Sequence, residues 1–156
     1  MWIAGKDGND TSSQNRNYLI QTLNNGTIQF NAYPSDGSSR MNTTSTTNIA
    51  DGKWHHIVGV YEPSNTFALY VDNVKESELT SGIATALMTS DIDFAIGRQN
   101  NSTPQYYYDG KMANLAVWSR ALTPEEIQSI MNKSYSQLKG VEKTNDWVRS
   151  PSYTEM

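Results

Sequence analysis

Two adjacent histidines, His55 and His56, are the first residues that could carry chemistry, because they are the only histidines in the chain. They follow Trp54 in the stretch DGKWHHIVGVYEP, residues 51–63. Adjacent side chains on a β-strand point to opposite faces, so the two rings cannot converge on one metal ion. The chain also lacks a cysteine and a Gly-x-Ser-x-Gly motif that could supply a nucleophile. We therefore predict a structural role, in which one ring faces inward and bonds a backbone group while the other faces solvent.

A second candidate is the polar stretch KDGNDTSSQN, residues 6–15, which offers the oxygen ligands that calcium prefers. Asp7, Asn9 and Asp10 have a spacing that calcium ligands can have. The EF-hand pattern is not matched, because glycine is absent from its sixth position and no glutamate closes the loop. The stretch is compatible with a calcium site and also with a plain hairpin turn.

The stretch NNSTPQYYYDG, residues 100–110, is the best candidate for ligand binding. Sugars bind where their C–H faces pack on aromatic rings and their hydroxyl groups meet amides. Strand alternation would place Tyr106 and Tyr108 on one face and Tyr107 on the other, so at least one ring is expected in the core. A structural role for all three tyrosines is an equal alternative. The predicted ligand-binding residues are Asn100, Asn101, Gln105, Tyr106 and Tyr108.

The composition limits the classes of partner. The 156 residues fit one domain with a substantial core, and 37% of them are hydrophobic and 18% charged. The net charge of −4 and the lack of a basic cluster argue against nucleic acid. The chain has no cysteine, so disulfides are excluded, and no apolar run is long enough for membrane insertion. The first ten residues do not have the pattern of a signal peptide.

Short alternating runs separated by turn residues dominate the chain, which is typical of an all-β sandwich. The turn NNG at 24–26 predicts one hairpin, and EPSNT at 62–66 predicts another, in which Asn65 accommodates unusual backbone angles. The predicted strands are 17–23, 27–33, 55–61, 67–72, 74–79, 91–98 and 111–120.

One helix is predicted from residue 124 to about 132. Thr123 can cap it, Pro124 suits the first helical position, and Glu126 completes a capping box. Residues 134–156 have no clear periodicity and are predicted to be a C-terminal tail or linker, which leaves residues 1–133 as the domain.

Three stretches together resemble the laminin G-like, concanavalin A-like lectin/glucanase family. They are DGKWHHIVGVYEPSNTFALYVDN (51–73), FAIGRQNN (94–101) and YYDGKMANLAVWSRALTPEEIQSIM (107–131). In spacing and order this resemblance covers about residues 1 to 132. It implies a two-sheet antiparallel jelly-roll sandwich with one short helix, and it makes Trp54 and Trp118 packing residues of strand motifs.

The resemblance also bears on catalysis and calcium. Glucanases of this fold carry Glu-x-Asp-x-Glu on one strand face, whereas this chain has Asp91 and Asp93 followed by Ala95 at the third position. A credible acid–nucleophile pair is therefore missing, and we expect no catalytic residues and no enzyme activity. Some family members bind calcium near the rim of the sandwich, which makes Asp109 a fourth candidate ligand beside Asp7, Asn9 and Asp10.

Two departures from the family pattern have structural consequences. The strands that usually precede MWIAGKDG are absent here, which would expose a sheet edge and part of an apolar face. We expect the tail, a neighbouring subunit or an upstream segment to cover them. The usual Asp-Glu pair of the third stretch is replaced by Ala113 and Asn114.

These patterns predict a non-catalytic recognition module that binds a glycan or polysaccharide through the rim loops 6–15 and 99–109, with calcium as a possible aid. The alternative is a structural or adhesion module that contacts protein and binds no sugar. Because the stretch 134–145 resembles linkers between tandem modules, we expect one module of an array in a virus or bacterial surface protein. The expected location is extracellular, at a cell surface or on a virion.

Overall fold

The computed structural model describes residues 1–8, 16–100, 103, 105–133 and 137. The chain divides into two compact units, Met1–Gly110 and Lys111–Met156. Within the described residues the elements are β1 (Trp2–Asp7), β2 (Arg16–Thr22), β3 (Thr27–Ala32), β4 (Met41–Asn48), β5 (Ile57–Glu62), β6 (Thr66–Val71), β7 (Val74–Glu78), β8 (Ala95–Ile96) and α1 (Pro124–Met131).

The strands form two antiparallel sheets in the first unit. The five-stranded sheet has the order β4-β3-β2-β1-β8, and the three-stranded sheet has the order β5-β6-β7. The predicted two-sheet jelly-roll sandwich with one short helix is confirmed.

The hydrophobic core lies between the two sheets. Phe30 on β3 stacks on Phe67 on β6, with ring centroids 4.4 Å apart and an interplanar angle of 12°. Ile28, Ala32 and Leu69 join the same buried cluster. Because alternate residues of a strand face opposite sides, β3 points Gln29 and Asn31 away from this core. We call that side of the five-stranded sheet its outer face.

The hairpin turns follow from their residue types. Gly26 takes a φ of 80° in the turn between β2 and β3, as the sequence NNG predicts. Asp72 and Asn73, with φ values of 50° and 67°, form the two-residue connection between β6 and β7. Between β5 and β6 the left-handed residue is Ser64, with a φ of 59°, and not the predicted Asn65.

The helix begins as its capping residues predict. The Thr123 side chain accepts a hydrogen bond from the Glu126 backbone, and the Glu126 carboxylate accepts one from the Thr123 backbone. Arg120 donates to both oxygens of the same carboxylate at 2.7 Å, and this pairing holds the pKa of Glu126 near 2. Ile127 is the buried residue of the helix.

Several strand predictions were wrong or incomplete. The predicted set of strands did not include β1 or β4, and the run of Thr, Ser and Asn in β4 has no clear apolar face. The predicted strand 91–98 is reduced to Ala95–Ile96, which pair with Ala4 and Gly5. Residues 111–117 contain no strand. A strand needs a hydrogen-bonding partner along its length, and sequence alternation alone does not supply one.

The expected exposed edge and its cover are not tested by the described residues. Strand β5 ends the three-stranded sheet and has β6 as its neighbour there. The predicted tail, residues 134–156, lies outside the described residues apart from Gln137. The idea that the tail covers an edge therefore stays a prediction.

Glu76 joins the two sheets through one carboxylate. From β7 it accepts hydrogen bonds from the backbone amides of Thr46 and Thr47 on β4, at 2.8 and 3.1 Å, and from both threonine hydroxyls. These hydrogen bonds, led by those of the Thr46 and Thr47 side chains, lower the pKa of Glu76 to about 2. The charged carboxylate thus clamps β4 to β7.

We expect Glu76→Gln to lower the free energy of unfolding by about 1 kcal/mol at pH 7, a value that allows for the partial exposure of the carboxylate. The folded pKa lies below the ordinary 4.5, so the contribution is complete above pH 4.5 and is lost as the pH falls toward 2. Urea unfolding at pH 7 and pH 3 measures this. A Glu76→Gln variant that loses the same stability at both pH values would contradict the clamp.

Candidate functional site

A groove runs over the outer face of the five-stranded sheet, along β1 and β2. Its volume is about 510 Å³, and Leu19 and Gln21 of β2 are among its lining residues. Leu19 pairs with Gly5 on one side and with Asn31 on the other. Because directly paired residues of adjacent strands share a face, Leu19 and Asn31 belong to the surface beneath the groove.

An aromatic pair forms one end of this groove. The Trp2 and Tyr106 rings stack with centroids 6.4 Å apart and an interplanar angle of 12°. Trp2 is buried, whereas Tyr106 is 54% exposed, and both line the groove. The pair therefore offers a tyrosine ring supported from behind by an indole, the kind of surface on which a sugar ring packs.

The backbone holds Tyr106 in an unusual conformation. Its φ is +53°, a region that favours glycine and costs a residue with a side chain about 1 kcal/mol. Its carbonyl accepts a hydrogen bond from the Trp2 amide at 2.9 Å. The loop itself is closed by Tyr108 N donating to Gly97 O at 2.8 Å and by Gln99 N donating to Gln105 O at 2.9 Å. Positive φ at a side-chain-bearing residue is found often at ligand sites.

The two predicted rim loops meet at Gln99. Its buried side-chain amide donates to the carbonyl of Gly8 at 3.3 Å, and Gly8 directly follows β1. The side-chain oxygen of Gln99 is buried and has no hydrogen-bond partner within the described part of the chain. The sequence-based prediction placed the loops together, but it did not identify Gln99 as the residue that connects them.

Two arginines line the opposite end of the groove. Arg16 donates from Nη1 to the Tyr33 hydroxyl at 3.0 Å, and its guanidinium carbon lies 5.0 Å from the centroid of the Tyr33 ring. Its Nε is 3.9 Å from the Asp7 carboxylate, which is 1% exposed. Arg40 is exposed and lines the same groove.

Of the predicted ligand-binding residues, Tyr106 lines the groove. Gln105 is exposed beside it, and Asn100 donates to the Asp93 carbonyl at 2.8 Å. Asn101 lies outside the described residues. Tyr108 is half-buried and Tyr106 and Tyr107 are exposed, so the expectation that at least one of the three rings belongs to the core was wrong. The alternation failed because this segment is a loop with a left-handed residue at Tyr106.

The predicted calcium ligands cannot be compared as a set. Asn9 and Asp10 lie outside the described residues, Asp7 is buried against Arg16, and Asp109 is exposed. Among the described residues there is no cluster of three or more His, Cys, Asp or Glu side chains that could hold a metal. A calcium site formed with Asn9 and Asp10 stays a prediction.

The histidines precede β5 and serve the fold. The His55 ring lies between two carboxylates, with Nδ1 2.7 Å from Asp72 and Nε2 2.9 Å from Asp51. The two ring nitrogens thus point to different carboxylates, so the His55 ring and these carboxylates do not converge on one metal ion. The prediction that a ring bonds a backbone group was wrong. His56 instead uses its own backbone amide, which donates to Asp72 at 2.8 Å, while its ring Nδ1 is buried without a partner in the described structure.

Trp54 corrects another expectation. It was predicted to pack, yet it is 66% exposed. The residue lies in the turn-rich segment before β5, where the side chain is not fixed by strand alternation. Trp118, by contrast, is half-buried.

The family of the chain follows from a profile match. The Laminin_G_3 profile, described as the concanavalin A-like lectin/glucanases superfamily, matches residues 2–128. The chain belongs to this superfamily. Among solved structures, this superfamily member is similar to an S-layer domain-containing protein from Clostridium thermocellum, with 22% identity and a TM-score of 0.43. The match covers 78% of this chain and 58% of that one, so the chain spans less than two thirds of that structure.

No curated protein sequence matches this member of the concanavalin A-like lectin/glucanase superfamily. In the part of the chain that the structure describes, no helix has the length and apolarity needed to cross a membrane.

The carboxylates that invite comparison with the glucanases of the superfamily are not held on a strand. The predicted strand 91–98 would have placed Asp91 and Asp93 on one face, and this prediction was wrong, because β8 begins at Ala95. Both side chains are exposed. The strand that would fix two carboxylates at a defined separation is not present at these positions.

The residues that the sequence-based prediction missed are Trp2, Arg16, Tyr33 and Arg40. Trp2 and Arg16 belong to β1 and β2, and pairing of these strands places them along one groove. One signal for the site was available in the sequence, namely the aromatic residue Trp2 at the start of β1, a strand that was not predicted. The contact with Tyr106 could not be found from spacing, because it depends on a loop that is distant in the chain.

Proposed function

We propose that this protein is a non-catalytic recognition module that binds a glycan or polysaccharide in the groove of the five-stranded sheet. The observation that carries the proposal is the Trp2–Tyr106 stack, whose exposed tyrosine ring lies at the groove. The side-chain carbonyl of Gln21, whose amide nitrogen donates to Gln29 at 2.9 Å, supplies a hydrogen-bond acceptor on the same surface. Aromatic and amide groups together are what sugar recognition requires. This site includes Tyr106 of the predicted loop 99–109 and extends from it onto the sheet.

The proposal also includes a location for the protein and a bound calcium ion. A polysaccharide ligand fits an extracellular location, at a cell or virion surface, for a module of this superfamily. Calcium held by Asp7, Asn9, Asp10 and Asp109 would link the end of β1 to the loop that carries Tyr106. We therefore expect chelation to weaken glycan binding.

We expect Tyr106→Asn to weaken glycan affinity about tenfold or more, because the stacking surface is lost. Asparagine tolerates the left-handed backbone at this position, so the melting temperature should change little. The measurement is isothermal titration against a panel of soluble neutral and acidic polysaccharides. Tyr107→Asn is the matched control, since Tyr107 is also exposed but is not among the groove-lining residues.

Two outcomes would contradict the proposal. Equal glycan affinities of the Tyr106→Asn and Tyr107→Asn variants would show that the sugar binds elsewhere on the protein. A folded wild-type protein that binds no member of a broad panel would favour the second candidate function.

The second candidate is an adhesion or structural module that contacts protein. The exposed indole of Trp54 favours it, because large exposed aromatic side chains are enriched at protein interfaces. Strand β5, directly after this segment, ends its sheet and could accept a strand from a partner. A Trp54→Ser variant that loses a surface-binding activity while glycan binding is absent would support this candidate.

A further inference from the structure

We propose that the groove selects acidic glycans, in which a carboxylate of the sugar chain is bound by Arg40 and Arg16. This inference rests on the proposed function and specifies its ligand class. It follows from the charges that line the groove and from their position relative to the aromatic pair.

The groove has a cation available for a ligand. Within the described part of the chain, Arg40 is exposed and forms no ion pair or hydrogen bond. A guanidinium carries five N–H donors in a planar fork that matches a carboxylate or sulfate. An acidic group that enters the groove therefore meets an arginine whose donors are not already used by the described residues.

The second arginine is held in place. The Arg16 side chain is 26% exposed, lies over the Tyr33 ring at 5.0 Å and donates to its hydroxyl. Its Nε faces Asp7 at 3.9 Å, so Asp7 balances the charge of Arg16. Asp7 also lines the groove but is 1% exposed, so Arg40 is the cation whose charge no carboxylate of the described residues balances there. A guanidinium that is already ordered loses less side-chain entropy when it binds.

The placement of these groups predicts the size of the ligand. Trp2 is at the first residue of β1, and Asp7, which pairs with Arg16, is at the last. At about 3.4 Å per residue, the aromatic and cationic ends of the groove are roughly 17 Å apart. Arg40 precedes Met41, which pairs with Ala32 and thereby lies at the Arg16 end. One sugar ring can therefore stack on Tyr106 while an acidic group farther along the chain reaches the arginines.

The same surface has a buried polar side chain beneath it. Asn31 pairs with Leu19 on the outer face, is fully buried, and has no hydrogen-bond partner for its amide nitrogen or oxygen among the described residues. Buried amides of this kind are normally satisfied by protein, water or ligand. Because Asn31 is fully buried and is not among the groove-lining residues, a buried water is what would satisfy it.

The test uses polygalacturonate, alginate and hyaluronate, each compared with its carboxyl-reduced neutral form. We expect at least one acidic polymer to bind, its reduced form to bind about tenfold more weakly, and affinity to fall as salt is raised. Arg40→Gln should weaken binding of the acidic form about tenfold and leave the reduced form unaffected. Lys53→Gln is the matched control, because it removes the same charge from the turn before β5 in the other sheet.

The outcomes separate this inference from the proposed function. If native and reduced polymers bind equally, or Arg40→Gln behaves like Lys53→Gln, the acidic-ligand inference is overturned while glycan binding stands. If no polymer of either form binds, both are overturned. If binding of the acidic form falls with both Arg40→Gln and Tyr106→Asn, the two ends of the groove act on one ligand and the inference is supported.

Discussion

Replacing Gly59 with alanine is expected to lower the free energy of unfolding by about 3 kcal/mol. Gly59 lies on β5, opposite the stacked Phe30–Phe67 pair of the core. A Cβ atom added at this position would lie 2.9 Å from Cγ and Cδ2 of the Phe30 ring. The ring cannot retreat easily, because the Phe67 ring lies directly against it, with the two centroids 4.4 Å apart. Glycine is therefore required here by space between the sheets and not by backbone conformation.

A second-site change tests this cause. In a Phe30→Leu background the smaller side chain should leave room, so the added methyl group of Gly59→Ala should cost less than half as much. Urea unfolding of the four proteins gives the coupling between the two positions. Equal costs in both backgrounds would show that the contact with Phe30 is not what excludes a side chain.

Replacing Asp72 with asparagine should lower the free energy of unfolding by about 2 kcal/mol at pH 6, a value that allows for the exposure of the carboxylate. The two oxygens of Asp72 bind the His55 ring at 2.7 Å and the His56 amide at 2.8 Å. They thereby fasten the segment before β5 to the β6–β7 turn. Asparagine keeps the left-handed backbone of residue 72 possible, so the loss reports on the charge and its hydrogen bonds.

The cost of Asp72→Asn should shrink as the pH rises. Hydrogen bonds to Asp51 and Asp72 raise the pKa of His55 above its ordinary 6.5. The stabilisation by protonated His55 is therefore complete below pH 6.5 and is lost as the pH rises through the raised value. Burial lowers the pKa of His56, which works in the opposite direction, but Asp72 favours the protonated form of both rings.

The measurement is urea unfolding of wild type and variant at pH 6 and pH 9. Asp36→Asn is a control, because Asp36 is an exposed carboxylate that accepts a hydrogen bond from the Ser38 amide in its own turn. A cost of Asp72→Asn that is the same at pH 6 and pH 9 would show that the histidines do not depend on the carboxylate.

The parts of the fold that local residues determine were predictable from sequence. The hairpin formed by β5 and β6 was predicted from its alternation, and the start of the helix from Thr123, Pro124 and Glu126. In both cases the residues that decide the structure lie within a few positions of one another. Short-range patterns of this kind favour the same local structure independently of the rest of the chain.

The parts that depend on distant contacts were not predictable. Residues 111–117 alternate like a strand and yet form none, because pairing depends on a partner that alternation does not provide. The site shows the same limit. Tyr106 was predicted from its chemistry. Trp2 and Arg40, however, reach the groove only because strands β1, β2, β3 and β4 pair in succession. Strand 41–48 was missed because its polar residues satisfy hydrogen bonds within the sheet instead of forming an apolar stripe.

The strand order also determines when the groove forms during folding. Strands β1 to β4 are neighbours both in sequence and in the sheet, so their pairing closes short loops. Strand β8 joins β1 from much farther along the chain, with Ala4 opposite Ile96. Tyr106 follows β8, so we expect its contact with Trp2 to form only after this pairing. The binding surface should thus assemble last and open first, and a bound glycan would lengthen the lifetime of the folded state by holding that final strand in place.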